Sequence, residues 1–378
     1  MSIKISAQIF TGGLTSGLST GSAGGKTVPF GEIEKKLEAV LPVLPVNKLI
    51  MGWAADRETY EKTAIFLEKR GIEFYLWFPV FSETGAICDL DPLIDLDGNK
   101  IDSKGHGEEN FAFCCPRSDK NMEKITGIYE KYFSGIPFTG IFLDKIRYPS
   151  FANDPAAVFS CFCPQCEEFY NARGINIKLL KKSSAGIIKY NGNGNYELKN
   201  EFVKEFFTAK QKIITESVGL LCGFLRSKNK KIALDVFAPF LAPFTGQDLT
   251  ALSGLCDFIK PMMYRITRAP AGLPFEAKAL LNETRSSSMT ISEFPFDLGF
   301  AAKELKDLVS VSGCPVYAGL EINHKKNLAE ATPAYIKETI NAYSKTGIRG
   351  LALSWDIIDA PEENIAAAGE AVRAVNYR

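Results

Sequence analysis

Four carboxylates in this chain stand at or just beyond the end of an apolar run. Asp144 closes Phe138-Thr-Gly-Ile-Phe-Leu-Asp144, Asp235 lies in Ala233-Leu-Asp235-Val-Phe237, Glu321 closes Tyr317-Ala-Gly-Leu-Glu321, and Asp356 follows Ser354-Trp355. A short, nearly continuous apolar run reads as a buried parallel strand, whose carboxyl end is where ligands are met. Two carboxyl groups flanking a bond can protonate its leaving oxygen and attack or hydrate its carbon, the chemistry of glycosidic cleavage. Lys145 and Arg147 follow Asp144 directly, and nearby cations favour an ionised carboxylate. These types alone leave open which carboxyl group is the acid.

A second chemistry sits just beyond. Cys161-Phe-Cys163-Pro-Gln-Cys166 packs three thiols into six residues, a spacing that suits one tetrahedral zinc ion. Cys115 is the expected fourth ligand, with Cys114 and Cys88 as alternatives. Four thiolates leave no open coordination position, so such a zinc would be structural and would do no chemistry.

The elements that must position these groups alternate. Apolar runs near 3–10, 47–53, 73–80, 138–144, 231–238, 257–264, 315–321 and 350–355 are separated by helical patterns at 31–41, 56–70, 119–134, 200–227, 246–254, 299–311, 333–346 and 361–376. Eight strand and helix alternations predict a single (β/α)8 TIM barrel over residues 1–378. Connections 81–118 and 145–199 far exceed the usual length of about 2–6 residues, and both follow strand carboxyl ends. They are expected to form a small cysteine-rich subdomain over the active face. Within the second, Asn191-Gly-Asn-Gly194 between two short apolar stretches predicts a hairpin.

In this order strands four and seven face each other across the mouth, making Asp144 and Glu321 the expected catalytic pair and Asp235 the reserve. Trp53, Trp77, Tyr148, Tyr264 and Trp355 fall at strand ends, where flat rings suit the apolar faces of sugars. Arg147, Lys260, Arg265, Asn323 and Asp356 are the expected hydroxyl-binding or anion-binding groups. Two rival readings are a barrel that binds carbohydrate without cleaving it and a lyase or isomerase using Lys145 or Lys260 as base or Schiff-base amine.

Composition narrows the partners. Lysine plus arginine equals aspartate plus glutamate at 44 each, so no net field favours nucleic acid or an anionic membrane. No apolar window approaches a membrane span, and the first residues lack a secretory pattern. A cytoplasmic location with reduced thiols is expected, and the odd count of nine cysteines agrees. The glycine-rich stretch 21–27 has Thr20 where a phosphate loop needs glycine, so an organic nucleotide cofactor is not expected. Only His106 and His324 are present, too few for a histidine-built catalytic metal site.

The phrase Thr139-Gly-Ile-Phe-Leu-Asp144-Lys-Ile-Arg147-Tyr148-Pro149 resembles the D-x-x-RYP phrase on strand four of barrel proteins grouped with the glycoside hydrolases. The lone cysteine followed by C-x-C-x-x-C is similar to the zinc site of the family-forty-two β-galactosidases. That resemblance implies a barrel glycosidase acting on an oligosaccharide or glycoside, with a structural zinc. The β-galactosidases end strand four in Asn-Glu where this chain has Asp144-Lys145, so their acid is not carried over. Met262-Met263-Tyr264 and Trp355 echo the chitinase-like barrels, whose catalytic Glu is replaced here by Ile146.

Overall fold

The structure, a computed structural model, describes residues 2–10, 28–53, 56–82, 88–101, 112–153, 155–183, 188–192, 195–198, 200–284 and 296–377. The stretch 21–27 and His106 lie outside the described residues. Eight parallel strands form the centre: β1 (Lys4–Phe10), β2 (Val46–Gly52), β3 (Glu73–Pro79), β4 (Gly140–Asp144), β5 (Lys231–Val236), β6 (Phe258–Pro261), β7 (Tyr317–Glu321) and β8 (Gly350–Ser354). Their order is β6-β5-β4-β3-β2-β1-β8-β7. A bridge between Ile259 and Val316 joins β6 to β7. The expected (β/α)8 barrel is therefore the observed one.

Strand registry explains why bulky and absent side chains alternate on the inner face. Tyr75 of β3, Phe258 of β6 and Tyr317 of β7 meet at ring separations of 5.4 and 4.7 Å. A Cβ on Gly140 would overlap the Tyr75 ring, and one on Gly350 the Tyr317 ring. Both strands accept glycine there because a neighbour fills the volume. Outside the barrel, Tyr60, Phe74, Phe133 and Phe138 seal the helix layer.

Helices follow the apolar spacing: Phe30–Val40, Arg57–Glu68, Asp119–Ile128, Glu201–Ser227, Leu298–Val311, Pro333–Tyr343 and Glu362–Asn376. Side chains of Asp56, Ser118, Asn200, Asp297 and Thr332 accept from the first-turn amides, stopping the chain from fraying where each strand loop ends. The expected helix over 246–254 shortens to Leu249–Ser253. A helix not expected from sequence, Leu273–Thr284, precedes Leu298–Val311. Pro274 reads as a breaker in isolation, yet at the second helical position its missing N–H costs little.

The two long connections touch each other. The Phe162 amide donates to Ile94 O at 2.9 Å, and the Ile94 amide to Cys161 Sγ at 3.4 Å. Phe159, Phe162 and Tyr170 of the second connection pack on Phe206 of helix Glu201–Ser227. The expected hairpin is present as antiparallel Ile188–Gly192 and Asn195–Leu198, its two turn residues lying outside the described residues.

Candidate functional site

Three neighbouring strands bring charge to one level of the mouth. Leu143 of β4 is in register with Leu234 of β5, which sets the next residues, Asp144 and Asp235, side by side. Asp235 is in turn in register with Lys260 of β6. Because parallel strands in register present matching residues to the same face, all three point the way Phe142 and Phe258 do, into the barrel. The Lys260 ammonium lies 5.8 Å from the Phe142 ring.

Lys260 donates to Asp235 Oδ2 at 2.9 Å and to the Tyr264 hydroxyl at 2.5 Å. Tyr264 passes the chain on to Ser354 Oγ at 2.9 Å, and Ser354 donates to Gln8 Oε1 at 2.5 Å. Lys260, Tyr264 and Ser354 each donate to the next group, so the oxygens of this buried row are partnered. Asp235 Oδ1 is the exception: it is buried and has no hydrogen-bond partner among the described residues. Burial pushes the Asp235 carboxyl up to about 7 against the pull of Lys260, and the charge of Asp144 adds to the rise. Burial opposes the charge on Lys260, but Asp235 and Tyr264 more than offset it and hold the ammonium above its ordinary value.

Asp144 is half-buried. Its Oδ2 accepts from Trp77 Nε1 at 2.9 Å and its Oδ1 from the Lys145 amide at 2.5 Å. The strand ends sharply here, with Lys145 at φ 54°, and that turn brings the amide back onto the carboxylate. Phe10 packs edge-on against Trp77 at 5.2 Å, and Tyr264 against Trp355 at 6.2 Å. Asp356 accepts from the Ile358 amide at 2.9 Å, and burial raises its carboxyl to about 6.

Glu321, the expected partner of Asp144 across the mouth, makes its bonds on its own side of the barrel. It is fully buried; Oε1 accepts from the Ile266 amide at 2.9 Å and the Thr267 hydroxyl at 3.1 Å, and Oε2 from the Tyr335 hydroxyl at 2.6 Å. Burial raises its carboxyl above the usual range. These bonds tie β7 to the loop after β6 and to helix Pro333–Tyr343, and none runs toward β4. Asn323 clamps the end of β8 through the Trp355 and Asp356 amides at 2.7 and 3.1 Å.

Other expected ligand groups are drawn into packing. Arg265 reaches Thr339 at 2.9 Å and stacks over Tyr335 at 4.8 Å. Arg147 is sandwiched between Phe113 and Phe237 at 4.7 and 4.3 Å while donating to Asn153 Oδ1 at 3.1 Å. Tyr148 is fully buried under the ammonium of Lys210, 4.0 Å from its ring. Trp53 packs against Phe78 and Phe133 at 5.7 and 5.8 Å, on the helix side of the sheet. A residue at a strand end faces the mouth or the helices according to its parity, which local composition does not reveal. Gln8 and Ser354 were not singled out from sequence. The signal for the first was present in β1, where polar Ser6 and Gln8 alternate with Ile5, Ala7 and Ile9.

The four expected thiols, Cys115, Cys161, Cys163 and Cys166, come together with all sulfurs within 4.8 Å of one another. Cys115 Sγ lies 3.5 Å from Cys163 Sγ and 3.6 Å from Cys166 Sγ. A tetrahedral ion with zinc–sulfur bonds of about 2.3 Å needs sulfurs roughly 3.8 Å apart, so the donor set and its spacing fit one metal ion. Cys88 is exposed and Cys114 is buried outside this group.

No family model matches the chain, and no curated protein sequence matches it. Among solved structures it is similar to the PgaB (BpsB) glycoside hydrolase domain from Bordetella bronchiseptica, with TM-score 0.62 and 11% identity over 99% of this chain and 98% of that one. The Ostrinia furnacalis Group IV chitinase gives a TM-score of 0.48 at 9% identity, each chain being covered in full at 100%. The alpha-N-acetylgalactosaminidase NagBb from Bifidobacterium bifidum gives 0.49 at 10% identity over 99% of this chain and 51% of that one. At these identities the first likeness shows a shared barrel fold.

Proposed function

We propose that the protein hydrolyses a glycosidic bond in an oligosaccharide or glycoside, using Asp144 and Asp235 as its carboxyl pair. The carrying observation is their registration on adjacent strands with unlike surroundings. Asp144 takes N–H donors on both oxygens, whereas Asp235 keeps Oδ1 unpartnered in a buried site. Environments that separate two carboxyl groups in this way divide the roles of acid and anion. Asp235 gives its proton to the leaving oxygen, and Asp144 meets the positive charge that develops at the anomeric carbon. Lys260, Tyr264, Ser354 and Gln8 hold Asp235 in place, and Glu321 acts as a positioning residue for the loop after β6.

Trp355, half-buried, supplies a flat face for a sugar ring at the same mouth, and Trp77 lies at Asp144. One barrel of known structure that this chain resembles is a glycoside hydrolase domain, which agrees with the reading at the level of fold. The D-x-x-RYP phrase and the family-forty-two-like cysteine spacing point the same way. Zinc bound by Cys115, Cys161, Cys163 and Cys166 would pin the connection after β3 to that after β4, making a cysteine-rich subdomain beside the mouth. A lyase based on Lys260 is disfavoured, because its ammonium is held in a buried contact with Asp235 and Tyr264 and has no lone pair to offer.

The test is a panel of aryl glycosides and oligosaccharides assayed for reducing-end release with the native protein and with Asp144→Asn. Turnover lost in the variant supports the reading. Sugar binding without release by the native protein would replace it with a non-catalytic carbohydrate-binding barrel.

A further inference from the structure

At the opposite end of the barrel from Asp144, a second pair of thiols meets. Cys256 precedes β6 and Cys314 precedes β7, and their sulfurs are 3.6 Å apart. Neither belongs to the four-thiol cluster. We propose that Cys256 and Cys314 form a modification site, a dithiol that a low-molecular-mass disulfide such as glutathione disulfide converts into a protein disulfide stapling the base of β6 to the base of β7.

The position gives such a staple something to do. Other neighbouring barrel strands share runs of registered residues, such as Gly350 to Ser354 of β8 with Tyr317 to Glu321 of β7. Between β6 and β7, among the described residues, the ladder is the Ile259–Val316 bridge, with the Ile259 amide donating to Pro315 O at 3.1 Å. This is the seam that closes the barrel. The two loops carrying the thiols are already aligned, since the Gly313 amide donates to Ser253 Oγ at 2.8 Å. Closing the staple therefore calls for side-chain rotation more than for loop movement.

The two sulfurs differ in access. Cys256 is buried and Cys314 half-buried. The Cys256 thiol beside it, and then Ser312, hold Cys314 below the ordinary thiol range, which favours the attacking thiolate. That thiolate attacks one sulfur of glutathione disulfide, forming a mixed disulfide and releasing one glutathione as thiolate. Cys256 then loses its proton, and its sulfur attacks Cys314 Sγ and expels the second glutathione. Two protein thiols are oxidised, and one glutathione disulfide is reduced to two glutathione molecules.

The experiment incubates the full chain with glutathione disulfide, maps unreduced peptides by mass spectrometry and records thermal unfolding. A Cys256–Cys314 cross-link is expected, with no glutathione retained at either residue and a melting temperature raised by at least about 4 °C, all reversed by dithiothreitol. Cys256→Ser should keep glutathione on Cys314 and show no such rise. The proposal is overturned if Cys314 stays unmodified in the native chain, or if Cys256→Ser gains the same thermal shift. Neither readout depends on a glycosidase activity.

Discussion

Asp144 and Asp235 occupy one level on adjacent parallel strands, and their surroundings differ: the first is held by Trp77 Nε1 and the Lys145 amide, the second by Lys260 on one oxygen alone. Neighbouring strands run about 4.8 Å apart, close to the roughly 5–5.5 Å carboxyl separation of enzymes that retain anomeric configuration. The predictions below rest on this arrangement and on the contacts around it.

Asp144→Asn and Asp235→Asn should each lower kcat by about 10³-fold or more while leaving the far-ultraviolet circular dichroism spectrum unchanged. On the proposed reading both carboxylates act in the reaction, and neither accepts a bond that joins a helix to the barrel. A loss below tenfold at either position would remove that residue from the catalytic pair.

The first-formed sugar should keep the anomeric configuration of the substrate, observed by proton NMR in the opening minutes of the reaction. Inversion would point to a water held between more distant carboxyl groups and would count against this pair.

Activity should fall as pH rises through about 7, because Asp235 must carry a proton to donate it and burial lifts its carboxyl to about that value. The same shift makes a stability statement of definite sign. A carboxyl raised on folding stabilises the folded state below its unfolded value near 4, and that contribution is lost as pH rises toward 7. Asp235→Asn should therefore flatten the decline in stability between about pH 4 and 7, as read by urea unfolding.

Glu321→Ala should destabilise the fold by about 3 kcal/mol or more, since it strands the Ile266 amide and the Thr267 and Tyr335 hydroxyls in a buried site. Glu321→Gln keeps an acceptor and should cost less. Denaturant titration of the pair distinguishes this anchoring role from a chemical one, which would spare stability and abolish turnover in both variants.

Protein purified without chelator should carry about one zinc per chain by elemental analysis. Cys115→Ser should lose the metal and lower the melting temperature, because an ion bound there would tie the two long connections together. Zinc content unchanged in Cys115→Ser would exclude that cysteine as a ligand.

Much of this was legible in the chain itself. Eight apolar runs alternate with helical spacing because burial on both faces of a parallel strand leaves little room for polar residues, so barrel order and strand positions follow from local pattern. The thiol cluster was legible because three of its four members are within six residues, and chain connectivity alone keeps them close. Asp144 stood out because its strand ends on it. What local pattern does not carry is which distant residues share a level and a face. The registration of Asp235 beside Asp144, the closure of Glu321 onto Tyr335, the row from Lys260 to Gln8 and the withdrawal of Trp53, Arg147 and Tyr148 into packing all depend on strand register and barrel closure. Those are long-range properties, settled only when the strands pair and each side chain takes the inner or outer face that its register dictates.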